Sequence, residues 1–193
     1  MLAHSPHARK LSLFVLVAAF AVTAHADILA TATYTDTQVS PGVFDYNITL
    51  NDTGTTTIGT FWFSWIPGTG FLSAVPTDLT SPSGWTESLK PGTAGKVGIQ
   101  WVTTTDLLDP GDSLTGFSFE STETPAQLLL GFTGTPGNGD PVTTSTVYAG
   151  APQVGTADTF VAAATPEPGT MLLTLTGLGL AVLSLKSRLL RQS

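Results

Sequence analysis

Glu120 and Glu123 are the carboxylate pair in this chain whose spacing most suggests a reaction, since two acids can share the roles of general acid and nucleophile or base at a glycosidic bond. Their surroundings favour a plainer reading: a strand end followed by Pro125, with no pattern that points to a cleft. Ser88 and Ser113 are nucleophiles only if Lys90 or Lys96 serves as base, and no motif supports either pairing. Asp106, Asp109 and Asp112 offer the hard oxygen ligands that Ca²⁺ takes, but their spacing is not that of an EF-hand loop. Two of them read as turn residues and the third as a loop residue, so they stand as calcium candidates only; no metal or cofactor is expected. Of the four tryptophans, Trp62, Trp65 and Trp101 lie in apolar runs and read as core. Trp85, which follows Ser81-Pro82-Ser83-Gly84, is the expected surface aromatic and the candidate carbohydrate contact. Thr31, Thr33, Thr35 and Thr37 alternate as an ice-binding face would, yet no coil repeat accompanies them, and threonine is an ordinary strand former. Asn47 and Asn51 each open an Asn-x-Thr sequon.

These candidates sit in a chain that lacks the usual catalytic side chains. His4, His7 and His25 all precede Asp27, there is no cysteine, and the arginines are Arg9, Arg188 and Arg191. From Asp27 to Thr165 there is thus no imidazole near neutrality, no thiol and no guanidinium clamp. Zinc sites of Cys and His are excluded there, and so are disulfides, so stability must come from the core. Thirteen acids face two lysines in that stretch, a net charge of about −11, which repels phosphate backbones and makes nucleic acid an unsuitable partner. These absences predict a non-enzymatic protein.

The two ends are apolar. Arg9 and Lys10 precede a greasy run from Leu11 to about Val22 and then Ala24-His25-Ala26, the pattern of a secretory signal peptide cut after Ala26, with Ala24 and Ala26 as the small residues that signal peptidase reads. At the other end, Pro166 and Pro168 force residues 165–168 to be extended. The uncharged run from Met171 to Leu185 follows; its fifteen residues make about 22 Å of helix, and Gly169, Thr170 and the snorkelling stems of Lys186 and Arg188 bring it near a membrane thickness. Arg191 completes a basic cluster that stays cytoplasmic, with the residues before Pro166 outside.

Thr165-Pro166-Glu167-Pro168-Gly169-Thr170, the apolar run and the Lys186/Arg188/Arg191 cluster together resemble a PEP-CTERM sorting signal, also known as an ice-binding-protein C-terminal domain. The family commonly has Val where this chain has Thr165. The resemblance implies an exosortase substrate of a Gram-negative bacterium, cut near Pro166–Pro168 and then anchored or released at the cell surface, where exopolysaccharide is made. The stretch from Phe44 through residues 61–72 to Trp85 also resembles an ectodomain type found beside such tails; that likeness implies a fold and no activity.

The remaining residues are read as strands and turns. Alternation marks residues 28–35 and 44–50, and 97–101, and the run from Ile58 to Ile66 is apolar on both faces, with Phe61, Phe63 and Trp65 expected on one and Trp62 and Ile66 on the other. Residues 67–84 read as a long loop, 85–89 as an edge strand, and Asp109-Pro110-Gly111-Asp112 as a β-turn. Residues 114–119, 128–132, 142–148 and 156–161 read as further strands, and 162–165 as a linker. Seven to nine short strands without an internal repeat predict an all-β protein with a single β-sandwich, immunoglobulin- or jelly-roll-like, over residues 27–163. A signal peptide occupies 1–26, and 164–193 form the sorting segment, with motif 165–170, transmembrane helix 171–185 and basic tail 186–193. The expected role is structural, in an exopolysaccharide or biofilm layer; a carbohydrate- or calcium-binding surface module is the alternative.

Overall fold

Period-two alternation builds the first sheet. The computed structural model describes residues 27–131 and 139–165. In β1 (Ala30–Ser40), Ala30, Ala32 and Tyr34 are buried while Thr31, Thr33 and Thr35 face out. Pro41-Gly42 turns the chain, Gly42 at φ 77°, into β2 (Val43–Asp52), whose Tyr46, Ile48 and Leu50 join the same core. The hydrophobic partner on the far side is not evenly spaced: Leu114 and Phe117 are three apart. In β9 (Ser113–Ser121) a bulge absorbs the odd residue, since Ile48 pairs with Phe117 and Thr49 with Thr115, leaving Gly116 at φ 99° unpaired. With the edge strands β6 (Thr77–Thr80) and β12 (Ala163–Ala164), the sheet runs β12-β1-β2-β9-β6.

The second sheet runs β11-β10-β3-β8-β7, comprising β3 (Thr60–Phe63), β7 (Thr86–Pro91), β8 (Val97–Val102), β10 (Thr144–Gly150) and β11 (Val154–Val161). As its double-sided apolarity implies, β3 is the central strand, and all four of its residues are buried. The edge position of residues 85–89 also holds, in β7, whose Pro91 stands where a missing N–H does least harm. The two sheets pack face to face through an aromatic core: Phe61 lies edge-on to Phe117 at 5.3 Å, Phe63 meets Phe119 at 5.3 Å, and Tyr34 meets Phe63 at 6.4 Å. Trp101, fully buried, stacks on Phe61 and sends its indole N–H across to the Thr80 carbonyl of the opposite sheet at 2.8 Å. The protein is an all-β sandwich.

Four expectations change. Trp65 does not share a face with Phe61 and Phe63. Ser64 adopts φ 54°, which breaks the pleat between β3 and β4 (Trp65–Ile66), and Trp65 swings onto the outer face against Trp62. Residues 67–84 are not a plain loop, because β5 (Thr69–Gly70) closes a hairpin on β4, Leu72 bridges to Val97, and β6 joins the first sheet. Within the expected strand 128–132, the described residues 128–131 do not form one, and Phe132 lies outside the described residues. Thr124 caps a one-turn helix, α1 (Pro125–Leu128), through a reciprocal box with Gln127, and Pro125 sits at its first turn where its ring is tolerated. Residues 162–165 are no free linker either: β12 pairs parallel to β1, and the Thr165 N–H reaches the Tyr34 carbonyl at 2.8 Å. Ala24, Ala26, Pro166, Glu167, Pro168, Gly169, Lys186, Arg188 and Arg191 lie outside the described residues, as do the expected signal peptide and membrane span. Among the described residues no helix is long and apolar enough to cross a membrane.

Candidate functional site

Several concavities mark the described surface, and their linings differ in charge. The first, of about 390 Å³, lies beside α1 and is lined by Ser73, Lys96, Thr122, Glu123 and Gln127 together with Leu130 and Val142. Glu123 is only 6% exposed. Its Oε1 accepts the backbone N–H groups of Ser73 and Ala74, its own carbonyl accepts the Tyr46 hydroxyl at 2.6 Å, and its Oε2 has no partner among the described residues. Lys96 Nζ donates to Ser73 Oγ. The carboxylate therefore staples the 73–74 segment to the end of β9. Glu120 has a different setting. It is half-exposed on β9, opposite Asp45 and Thr77, and partial desolvation followed by the charges of Asp78 and Asp45 holds its carboxyl above the usual range. One glutamate is thus a buried backbone acceptor and the other a member of a surface acid cluster, an arrangement of structural roles.

Trp85 requires a correction. It is 5% exposed, lies edge-on to Phe117 at 5.3 Å, and donates its indole N–H to the Asp106 carbonyl at 3.0 Å. An aromatic that stacks on sugar must offer a ring face to solvent, and Trp85 spends its faces on the core. The residue that holds it is Asp106, one of the three calcium candidates. Thr103 Oγ1 accepts the Asp106 N–H at 3.0 Å, the Asp106 carboxylate accepts Thr105 Oγ1 at 2.6 Å, and Asp109 and Asp112 close the expected turn with a 3.0 Å backbone bond. All three aspartates line one shallow depression with Trp85, but among the described residues no three acidic side chains converge as ligands for a metal ion. Ser113 donates to Asn51 Oδ1 at 2.6 Å, and Ser88 to Gln100 Oε1 at 3.3 Å; neither bonds a lysine.

On the outer face of the first sheet, Thr31, Thr33 and Thr35 stand opposite Asn51, Thr49 and Asn47, with Thr37 opposite Asp45. Both sequon asparagines therefore lie within β2, Asn47 exposed and Asn51 half-buried.

The outer face of the second sheet carries the feature that residue-by-residue reading missed. Across it runs a row from five adjacent strands: Thr159, Thr146, Trp62, Gln100 and Ser88. Trp65 lies on Trp62 with ring centroids 3.9 Å apart and planes 15° from parallel. Gly98 makes that possible, because a Cβ there would stand 2.9 Å from the Trp65 Cβ. Beside this stack is an open groove of about 380 Å³, bounded by the β4–β5 turn at Gly68 and the β10–β11 turn at Pro152 and Gln153, with Trp62, Trp65, Gln100, Lys90 and Pro91 completing it. The β10–β11 turn is pinned from below: Thr60 Oγ1 donates to the Gly150 carbonyl at 2.7 Å and accepts the Gln153 N–H at 3.3 Å. The paired tryptophans three apart were the available sequence signal, but they read as core.

Comparison with protein-family models and with curated proteins yields no match. Among solved structures, the chain is similar to the CBM3a-L domain of scaffoldin cipA of the Clostridium thermocellum cellulosome, at 11% identity and TM-score 0.40, covering 72% of this chain and 91% of that domain. It is similar to "the unique CBM3-" of Hungateiclostridium clariflavum at 10% identity and TM-score 0.39, covering 72% and 100%. A GH20 exo-β-N-acetylglucosaminidase of Vibrio harveyi also aligns, at 8% identity and TM-score 0.37, over 71% of this chain but 18% of that enzyme. These are distant likenesses, and neither a ligand nor an activity follows from them.

Proposed function

We propose that the protein is an exported surface component, delivered through its signal peptide, sorted by an exosortase at the Pro166-Glu167-Pro168 motif, and resident in an exopolysaccharide layer outside a Gram-negative cell. The observation that carries this reading is the order of the C-terminal residues: extended motif, uncharged run, basic end. The fold is compatible with it in one respect. Among the described residues, Thr165 donates its backbone N–H to the Tyr34 carbonyl beside the β12–β1 pair, and the residue that follows it in the sequence is a proline, which has no N–H to donate.

The sandwich is on this reading a structural or binding cargo and not a catalyst. Its support is the absence of His, Cys and Arg between Asp27 and Thr165, and the separate structural employment of Glu120 and Glu123. The test is mass spectrometry of both ends of the mature protein, with cell fractionation, in strains that possess or lack the sorting enzyme. Loss of the residues after the motif only when the enzyme is present is expected. A span that persists on the mature protein in both strains refutes the sorting claim.

A further inference from the structure

The outer edge of β1 is covered over part of its length. The strand runs from Ala30 to Ser40, but β12 pairs with it at Thr33 and Tyr34, and the Thr165 N–H then reaches the Tyr34 carbonyl. Among the described residues no strand pairs with β1 on that side beyond this bond. Successive residues of a strand aim their N–H and C=O groups at opposite edges, and the bonds of β1 fix which way each residue points. Ala30 donates outward, to Asp158 Oδ2 at 3.0 Å, and Tyr34 accepts from outside, at Thr165. Leu29 accepts from the other side, from the Thr53 N–H at 2.9 Å. The even-numbered residues thus face the outer edge. The register with β2 is unbroken as far as Gln38, the last residue before a bulge, so the N–H and C=O of Gln38 also face outward. An edge of this kind is a template for strand addition.

The chain that approaches this edge has a fixed parity of its own. Thr165 donates toward β1, whereas Ala162 donates away from it, to the Thr143 carbonyl at 3.2 Å. Odd-numbered residues of this stretch therefore face β1 and even-numbered ones face away. Residues 166–169 lie outside the described residues, and their sequence is Pro166-Glu167-Pro168-Gly169. Both prolines fall on even positions, where a missing N–H takes nothing from a ladder with β1; Glu167 and Gly169, which keep their N–H groups, fall on odd ones. We propose that residues 166–169 dock on the outer edge of β1 as a parallel continuation of β12, with the Gln38 N–H donating to the Glu167 carbonyl and the Gly169 N–H donating to the Gln38 carbonyl. The occupant is this segment because Thr165 is already in register, so the residues after it start at bonding distance and no loop has to close. The segment acts as a strap. It covers an edge open to strand addition, and its own outer side, with prolines at 166 and 168, has no N–H at those positions to offer a further strand. The docking rests on the register of β12 and not on the sorting reading above.

The test is amide hydrogen exchange, read by NMR on the ¹⁵N-labelled full chain in detergent micelles. The expected result is a Gln38 N–H that exchanges at least about tenfold more slowly in the parent than in Glu167→Pro, which places a proline ring where an N–H must face β1. Pro168→Ala, which restores an N–H that faces away, leaves the Gln38 rate within about twofold of the parent. The amide of Ile48, buried in β2, reports in each variant that the sandwich is intact. Equal Gln38 rates in the parent and in Glu167→Pro overturn the docking. Equal loss of protection in Glu167→Pro and Pro168→Ala overturns the parity from which the register is drawn. Neither result depends on whether a sorting enzyme cuts the chain, which mass spectrometry reads separately.

Discussion

Removing the Glu123 side chain should unfasten one end of the sandwich. In Glu123→Ala the N–H groups of Ser73 and Ala74 lose their acceptor, and the Ala74 bond measures 3.1 Å. A fully buried donor left unsatisfied costs about 1–3 kcal/mol, but Ser73 is exposed, Ala74 is half-buried and both line an open cavity, so water recovers part of the loss. A net destabilisation of about 3 kcal/mol follows, which for a domain of this size lowers Tm by about 10 °C. Glu123→Gln is the informative companion. It keeps a carbonyl oxygen for the two N–H groups, removes a buried charge, and gives up the added strength of a charged acceptor, for a net loss of about 1 kcal/mol. Thermal melts followed by tryptophan fluorescence, with urea titrations to obtain the free energies, check both variants. If Glu123→Ala melts within about 2 °C of the parent, or if the Gln and Ala variants are equal, the carboxylate is not the staple described here.

Two further predictions rest on the same core. Tyr46 and Tyr34 pack edge to face at 6.0 Å, but the Tyr46 hydroxyl donates to the Glu123 carbonyl whereas the Tyr34 hydroxyl is buried without a partner among the described residues. Tyr46→Phe should therefore cost about 1–2 kcal/mol in urea unfolding, while Tyr34→Phe should be neutral or stabilising; the reverse order would refute the hydrogen-bond assignment. Asp52 is 2% exposed, and burial, reinforced by the Asp109 charge and opposed by the Gly54 N–H, raises its pKa. A carboxyl with a raised folded-state pKa favours the fold when protonated and loses that advantage as pH climbs from the unfolded aspartate value, near 3.9, through the folded one. Relative to Asp52→Asn, the parent should thus lose stability as pH rises above the unfolded aspartate value, and parallel pH–stability curves for the two would exclude the effect.

Local rules reached as far as single strands. The alternation of Phe44, Tyr46, Ile48 and Leu50 fixed a face because the side-chain period is two, and residues 85–89 read as an edge strand, whereas Pro91 pairs with Val97 within β7. Leu114 and Phe117 share a face although three residues apart because the Gly116 bulge supplies the extra residue. The short helix at Pro125 was written in Thr124 and Gln127, a capping box that the apolar run 128–132 outweighed. The groove was not legible. Its wall joins β3, β8, β7 and two turns distant in sequence, and its shape depends on one left-handed serine.

The sequence by itself determined the β class, the in-and-out order of its regular strands, and the absence of imidazole, thiol and guanidinium from residues 27–165. Those are properties of composition and of neighbours one or two residues apart. Only the tertiary structure decided that Trp85 is spent on the core, that Glu123 fastens a loop, and that Trp65 covers Trp62 beside a groove with one lysine. The physical reason is that burial on the outer face of a sheet is set by what folds over it, here a hairpin redirected at Ser64, and no periodicity in the strand records that.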